Sequence, residues 1–116
     1  MYGDQGWPKE LDALIAAPEH HKLLFENEKV RVLDTHIPPG EITNVHTHQW
    51  PATVYYVSCS DFIRYDDHGV ELVDSRKLSS NPLPGTSAWS GSLPPHALKN
   101  VGKVDLHVIR VEIKGA

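Results

Sequence analysis

The sequence of 116 residues predicts an all-β domain, a small barrel or sandwich preceded by a short helix. Three observations point that way. Seven short runs of β-forming residues follow one another from Lys22 onward, bounded by turn formers such as Pro38-Pro39-Gly40, Asp66-Asp67-His68-Gly69 and Asn81-Pro82-Leu83-Pro84-Gly85. No stretch alternates strands with long helices, which disfavours a parallel α/β sheet. The length suits one domain, since domains commonly reach roughly 100–150 residues.

In chain order, Trp7-Pro8-Lys9-Glu10 leads into Leu11, Leu14 and Ile15, whose spacing suits one face of a short helix. Pro8 is tolerated in its first turn and Pro18 ends it. Residues 1–21 therefore read as an arm carrying that helix, and residues 22–116 as the β-barrel domain. The predicted runs are Lys22–Glu26, Lys29–Ile37, Thr53–Val57, Phe62–Tyr65, Val70–Asp74, Ser87–Trp89 and Leu106–Ile113. Asp66-Asp67-His68-Gly69 reads as a hairpin turn, because glycine supplies the positive φ; its oxygen spacing does not suit a calcium loop. Ser79 to Gly85 reads as a loop within the domain, and no repeat, low-complexity tract or linker interrupts the chain.

Composition narrows the function classes. With 40% apolar and 22% charged residues the chain is an ordinary globular protein, and its net charge of −4 offers no footprint for a phosphate backbone, so no nucleic-acid partner is expected. No apolar run approaches the roughly 20 residues that cross a bilayer, and the first residues lack the features of a signal peptide. A cytoplasmic protein with no membrane partner is the expectation. The single Cys59 forms no internal bridge and reads as a small apolar filler in a strand. Eight histidines are many for this length, and they favour metal binding or pH-dependent chemistry.

The informative stretch is Gly40-Glu41-Ile42-Thr43-Asn44-Val45-His46-Thr47-His48. On an extended strand, residues i and i+2 share a face with Cα atoms roughly 6.5–7 Å apart, so His46 and His48 can converge on one ion. An imidazole nitrogen must reach about 2.0–2.1 Å from a metal such as zinc, which requires a third ligand from a neighbouring strand. His96, behind Pro94-Pro95, is the candidate. Taken alone, the His-x-His pair does not separate a ligand pair from a surface pair.

The surrounding spacing adds to this. Gly40, five residues, then His46-Thr47-His48 resembles the first motif of the cupin superfamily; Gly85, five residues, Gly91, then His96 and Asn100 resembles the second. The resemblance runs from about Val30 to Ile113 and implies a cupin-type jelly-roll β-barrel, a small single-domain protein with a three-histidine metal site in its wider end. It further implies one divalent ion, with Fe(II) favoured over zinc, nickel or manganese, a homodimer, and reactions ranging from dioxygenation to isomerisation. Thr53 stands where cupins commonly have a glutamate ligand, Ser60 where they have glycine, Gly91 where proline is common and Leu93 where glycine is common. Without that glutamate the inner shell is three neutral nitrogens, and an ion keeping its full charge attracts anionic ligands. Glu41 is the candidate replacement, against the ordinary reading of a solvated turn residue.

The expectation is therefore an iron(II) dioxygenase acting on a small anionic or chelating organic substrate. The alternatives are a zinc- or nickel-dependent hydrolase, lyase or isomerase on the same site, and a binding module without turnover. In Leu106–Ile113, the set His107, Ile109, Val111 and Ile113 is read as facing inward, making His107 a proton carrier or a buried histidine satisfied by a carbonyl. Tyr55 shares parity with Thr53 and Val57 and is a candidate phenol for substrate, or a packing residue. Gln49 and Trp50 are assigned to the entrance, Trp89 to the core and Asn100 to a turn; His36 is expected at the surface, and His20, His21 and His68 carry no predicted chemistry. The homodimer is expected to use Leu106, Val108 and the Leu11 to Ile15 face.

Overall fold

In the computed structural model, which describes residues 5–115, nine strands build two antiparallel sheets. The strands are β1 (His21–Glu26), β2 (Val30–Ile37), β3 (His46–His48), β4 (Ala52–Ser58), β5 (Phe62–Asp66), β6 (Glu71–Asp74), β7 (Ser87–Ser90), β8 (Leu93–Asn100) and β9 (Leu106–Ile113). One sheet has the order β1-β2-β9-β4-β7 and the other β3-β8-β5-β6, a jelly-roll arrangement whose inner faces enclose a cavity. Among the described residues no helix is long and apolar enough to cross a membrane.

Register decides what faces inward. β2 and β9 pair along their full length, with Arg31 opposite Glu112, Leu33 opposite Arg110, Thr35 opposite Val108 and Ile37 opposite Leu106. On the far side of β9, Ala52 lies opposite Glu112 and Val54 opposite Arg110. These rows form the buried face, while Tyr55, Val57 and Trp89 stand exposed on the other. The β9 parity predicted from sequence is thus reversed: Leu106, Val108 and Arg110 line the cavity. Ile109, Val111 and Ile113 are only half-buried on the outer face. Alternation misled because both faces of this strand carry apolar residues, and its buried face also carries two charges that neutralise each other. Trp89 is likewise no core residue, being 64% exposed, since its strand lies at the sheet edge with Trp89 on the outer row opposite Thr53.

Two strands escaped prediction. Pro94 and Pro95 lack the N–H a ladder needs, and β8 accommodates them where its pairing with β3 loses register, between His96 opposite His46 and Leu93 opposite His48. Asn100 ends β8 fully buried; its side chain donates to the carbonyls of Ile37 and Val104 and accepts from Ser60 Oγ and Gly102 N, tying that turn together. The β5–β6 turn has Gly69 at φ +79°, while Asp66 accepts from the amides of His68 and Val70.

The N-terminal segment is joined to the sheets. A 3₁₀ turn (Lys9–Leu11) precedes helix α1 (Ala13–Ala16), and Asp12 caps it by accepting from Leu14 N. The helix buries Ala13 and Ala17 completely, while Ile15 is 53% exposed. The small residues Ala13 and Ala17 allow a close approach to β1 and β3, and Ile15 stays on the outside, where the sequence placed a contact surface for a second copy. Asp12 itself is buried and receives both terminal nitrogens of Arg31, at 3.0 and 2.9 Å.

Candidate metal centre

Four histidines meet at one end of the cavity. His46 and His48 sit on the same face of β3, His96 lies directly opposite His46 on β8, and His21 reaches in from β1, where its register with Thr35 turns it inward. Ring centroids are 4.4 Å apart for His46 and His96, 5.1 Å for His46 and His48, and 5.8 Å for His48 and His96. His21 stands 4.5 Å from His46 and 5.3 Å from His48. The nitrogen donors of His21, His46 and His48 all lie within 4.8 Å of one another, and all four rings are buried.

Hydrogen bonding fixes the tautomer of each ring. Nδ1 donates to the carbonyl of Ala17 from His21 (2.9 Å), of Asn44 from His46 (2.8 Å) and of Pro94 from His96 (2.7 Å). His48 Nδ1 donates to Glu112 Oε2 at 2.9 Å. A carbonyl or carboxylate oxygen only accepts, so the proton of each neutral ring resides on Nδ1 and Nε2 keeps a free lone pair. Burial also holds the rings neutral. It depresses His21 and His46 from 6.5 to about 3 and His96 to about 4, aided for His46 by its closeness to His96, since two adjoining rings resist carrying charge together. His48 is likewise well below its ordinary value, through burial and then Arg110. Neutral imidazoles with nitrogens close together, those of His21, His46 and His48 with the His96 ring beside them, are a donor set suited to a divalent transition-metal ion.

Behind the rings lies a buried ionic chain. Glu112, fully inaccessible, accepts from His48, from Arg31 Nε at 2.7 Å and from Arg110 Nε at 3.1 Å. Arg110 also donates to Ser90 Oγ and to the carbonyls of Trp50 and Gly91, which holds it in place along the wall. Through Arg31 the chain continues to Asp12, so the N-terminal cap and the His48 ring share one network. Trp50 packs beneath the Arg31 guanidinium, 5.0 Å from ring centroid to carbon.

Several predicted roles move. His107 points away from the cavity, bonds Asp34 at 2.7 Å and stacks on His36 at 5.0 Å, a consequence of the reversed β9 parity. Tyr55 is 47% exposed on the outer face, and its neighbour Tyr56 lines the cavity instead. Thr53 also faces outward; the inward side chain there is Ala52, a methyl that leaves no ligand at the cupin glutamate position. Glu41 does not reach the centre, because it lies in an exposed turn and accepts from His20 Nε2 at 2.8 Å. His21, assigned no chemistry from sequence, belongs to the cluster. Nothing near it marks a motif; only its place in register with Thr35 could have revealed it. Glu112, Arg110 and Arg31 were missed for the same reason, as charged residues in strands normally face solvent.

The cavity extends from the histidines over about 640 Å³. Its walls are largely apolar, with Phe62, Leu93, Leu98 and Leu106, and its polar groups include Tyr56, Arg64 and Ser90. A space of this size with few polar groups fits a small organic molecule.

No family model matches the chain, and no curated protein matches its sequence. Solved structures do match. A cupin domain from Bordetella pertussis Tohama I superposes with a TM-score of 0.66 at 22% identity, covering 82% of this chain and 92% of that one. An RmlC-like cupin family protein with a double-stranded β-helix fold from Methanocaldococcus jannaschii matches at 0.56 and 13% identity, covering 80% and 77%. The polyketide cyclase RemF from Streptomyces resistomycificus matches at 0.53 and 16% identity, covering 84% of this chain and 67% of that one. The chain therefore has the cupin fold, with histidines positioned to bind a metal ion.

Proposed function

We propose that this cupin is a mononuclear metal enzyme that acts on a small organic anion, with ferrous iron and dioxygen as its reaction class. The carrying observation is the donor set: neutral imidazoles with free Nε2 lone pairs and, among the described residues, no carboxylate in the cluster. A divalent ion held by these histidines would supply Lewis acidity toward an anionic ligand and, if iron(II), electrons for dioxygen. The chain's own residues do the rest. Glu112 and three backbone carbonyls orient the rings, and the apolar wall limits water around the reacting centre. Tyr56, raised by burial, keeps its phenolic proton at neutral pH and offers a hydrogen-bond donor to a bound anion.

The test is oxygen uptake by iron(II)-loaded protein across a panel of thiols and β-dicarbonyl compounds, with metal content measured by mass spectrometry. Uptake is expected for the wild type and loss for His46→Ala; turnover unchanged in that variant would sink the reading.

A second reading rests on His21. A fourth imidazole beside His46 and His48 leaves fewer positions for exogenous ligands, which favours zinc or nickel and a redox-neutral hydrolase, lyase or isomerase. Protein purified without chelator would then carry zinc or nickel, and His21→Ala would reduce its metal affinity.

The reading extends to a homodimer. Leu106 and Val108 are committed to the cavity, so the surface proposed for a second copy is the outer face bearing Tyr55, Val57 and Trp89, exposed by 47%, 42% and 64%. Sedimentation is expected to give a dimer for the wild type and a monomer for Trp89→Lys; a wild-type monomer would overturn it.

A further inference from the structure

Among the described residues, one guanidinium inside the cavity keeps a buried nitrogen without a partner. Arg64 projects from β5 into the cavity, where its Nε is buried and meets no hydrogen-bond partner. Among the described residues no carboxylate forms an ion pair with it, whereas Arg31 is bound by Asp12 and Glu112, and Arg110 by Glu112. Leaving a guanidinium buried without a counter-ion is costly, and proteins normally pair or expose it.

Its position relative to the histidines is set by register. Arg64 lies opposite Leu98 on β8, and Leu98 is two residues from His96 on the same face. Such diagonal neighbours have Cα atoms about 7–8 Å apart, so a molecule touching both the histidine cluster and the guanidinium is short. Arg64 and His96 line the same cavity. Apolar Phe62, Leu93 and Leu98 provide a surface for the rest of the ligand.

Resting on the metal-enzyme reading, we infer that Arg64 is the substrate anchor of this site, and that the substrate is a small carboxylate. Its carboxylate would lie in the guanidinium fork, and its opposite end would reach the histidine centre. The planar guanidinium presents paired N–H donors that match the two oxygens of a carboxylate, a recognition that a lysine ammonium does not reproduce.

The probes are benzoate and its neutral counterpart benzamide, titrated into metal-free and zinc-loaded protein by calorimetry and by NMR of arginine Nε–H resonances. Benzoate is expected to bind both forms and to shift the Arg64 resonance, with benzamide at least about tenfold weaker. Arg64→Lys should weaken benzoate about tenfold, and Arg64→Met should abolish its binding while raising Tm, because a partly buried charge without a counter-ion is removed. A merely structural arginine would lower Tm when replaced. Equal affinity for benzoate and benzamide, no benzoate binding to either form, or wild-type benzoate affinity in Arg64→Met overturns the assignment. Should Arg64→Met fail to fold, the lysine variant and the wild-type resonance shift decide it. Protein that binds benzoate at Arg64 yet takes up no metal would refute the metal-enzyme reading and leave this one standing.

Discussion

Acidification of the metal-free protein should expose the neutral histidine cluster directly. Burial places three rings low on the pH scale: His21 and His46 at about 3 and His96 at about 4, against 6.5 in an unfolded chain. A folded value below the unfolded one means that the unfolded chain binds more protons between those limits, so stability must fall as pH falls below about 6.5. At about pH 5 an unfolded imidazole is almost wholly protonated while the folded one is not, which amounts to about 2 kcal/mol for each ring. Three rings together remove about 6 kcal/mol, comparable to the roughly 5–15 kcal/mol that holds a typical domain folded. His48 acts in the same direction. Glu112, raised by burial despite its two arginines, offsets part of the loss, because a carboxyl with a raised folded value takes up a proton more readily when folded. Urea denaturation in chelator at about pH 7.5 and about pH 5, followed by circular dichroism, measures the difference. A stability constant to within about 1 kcal/mol would mean that the folded rings accept protons freely, and the neutral donor set would be lost as an explanation.

Other perturbations test the surrounding parts. Glu112→Gln should weaken zinc affinity about 10–100-fold, measured by competition with a chelator, because His48 loses its charged acceptor. The same variant should lose about 3–5 kcal/mol in urea denaturation, since Arg31 and Arg110 lose their shared carboxylate. Asp12→Ala should cost a similar amount by leaving Arg31 half-paired and uncapping α1, and its metal affinity will report whether the ionic chain reaches His48. Gly102→Ala should destabilise by about 1–3 kcal/mol, because its Cβ would meet Ser60 Oγ and lie 2.8 Å from Asp61 N. Zinc at about a hundredfold above its Kd should stabilise the wild type by about 2.7 kcal/mol and leave His46→Ala almost unmoved.

The sequence disclosed those features that local chemistry specifies. Gly69 and Gly85 adopt positive φ where turns were expected, and Asn100 binds backbone groups as its type suggests. His46, His48 and His96 were legible through spacing, and the structure brings their rings together. What stayed hidden depends on register between distant strands. His21 is separated from its ring partner His46 by a hairpin, the whole of β2 and a crossing to the other sheet, and nothing local distinguishes it from the exposed His68. The β9 parity was unreadable for a related reason: Arg110 and Glu112 look like surface residues until Arg31, from the paired strand, completes their network. A period-two pattern therefore pointed to the more apolar row, which lies outside.

The electrostatics of the interior lead to one further consequence. Three guanidiniums, those of Arg31, Arg64 and Arg110, lie in or against the cavity, while two buried carboxylates, Asp12 and Glu112, serve Arg31 and Arg110. At the rim Asp61 and Lys103 offset each other, so three guanidiniums against two buried carboxylates leave an excess of one positive charge, and the four histidines contribute none because burial keeps them neutral. A divalent ion would add to the same sign in the same enclosed space. Such a centre repels further cations and gains more from an anion than a neutral cavity would, since low dielectric strengthens each interaction. It follows that benzoate should bind the zinc-loaded protein more tightly than the metal-free one, and that raising salt should weaken binding only modestly because the charges are enclosed. If loading with zinc left benzoate affinity unchanged, the ion and Arg64 would not share a ligand, and the cavity would have to be read as two separate sites.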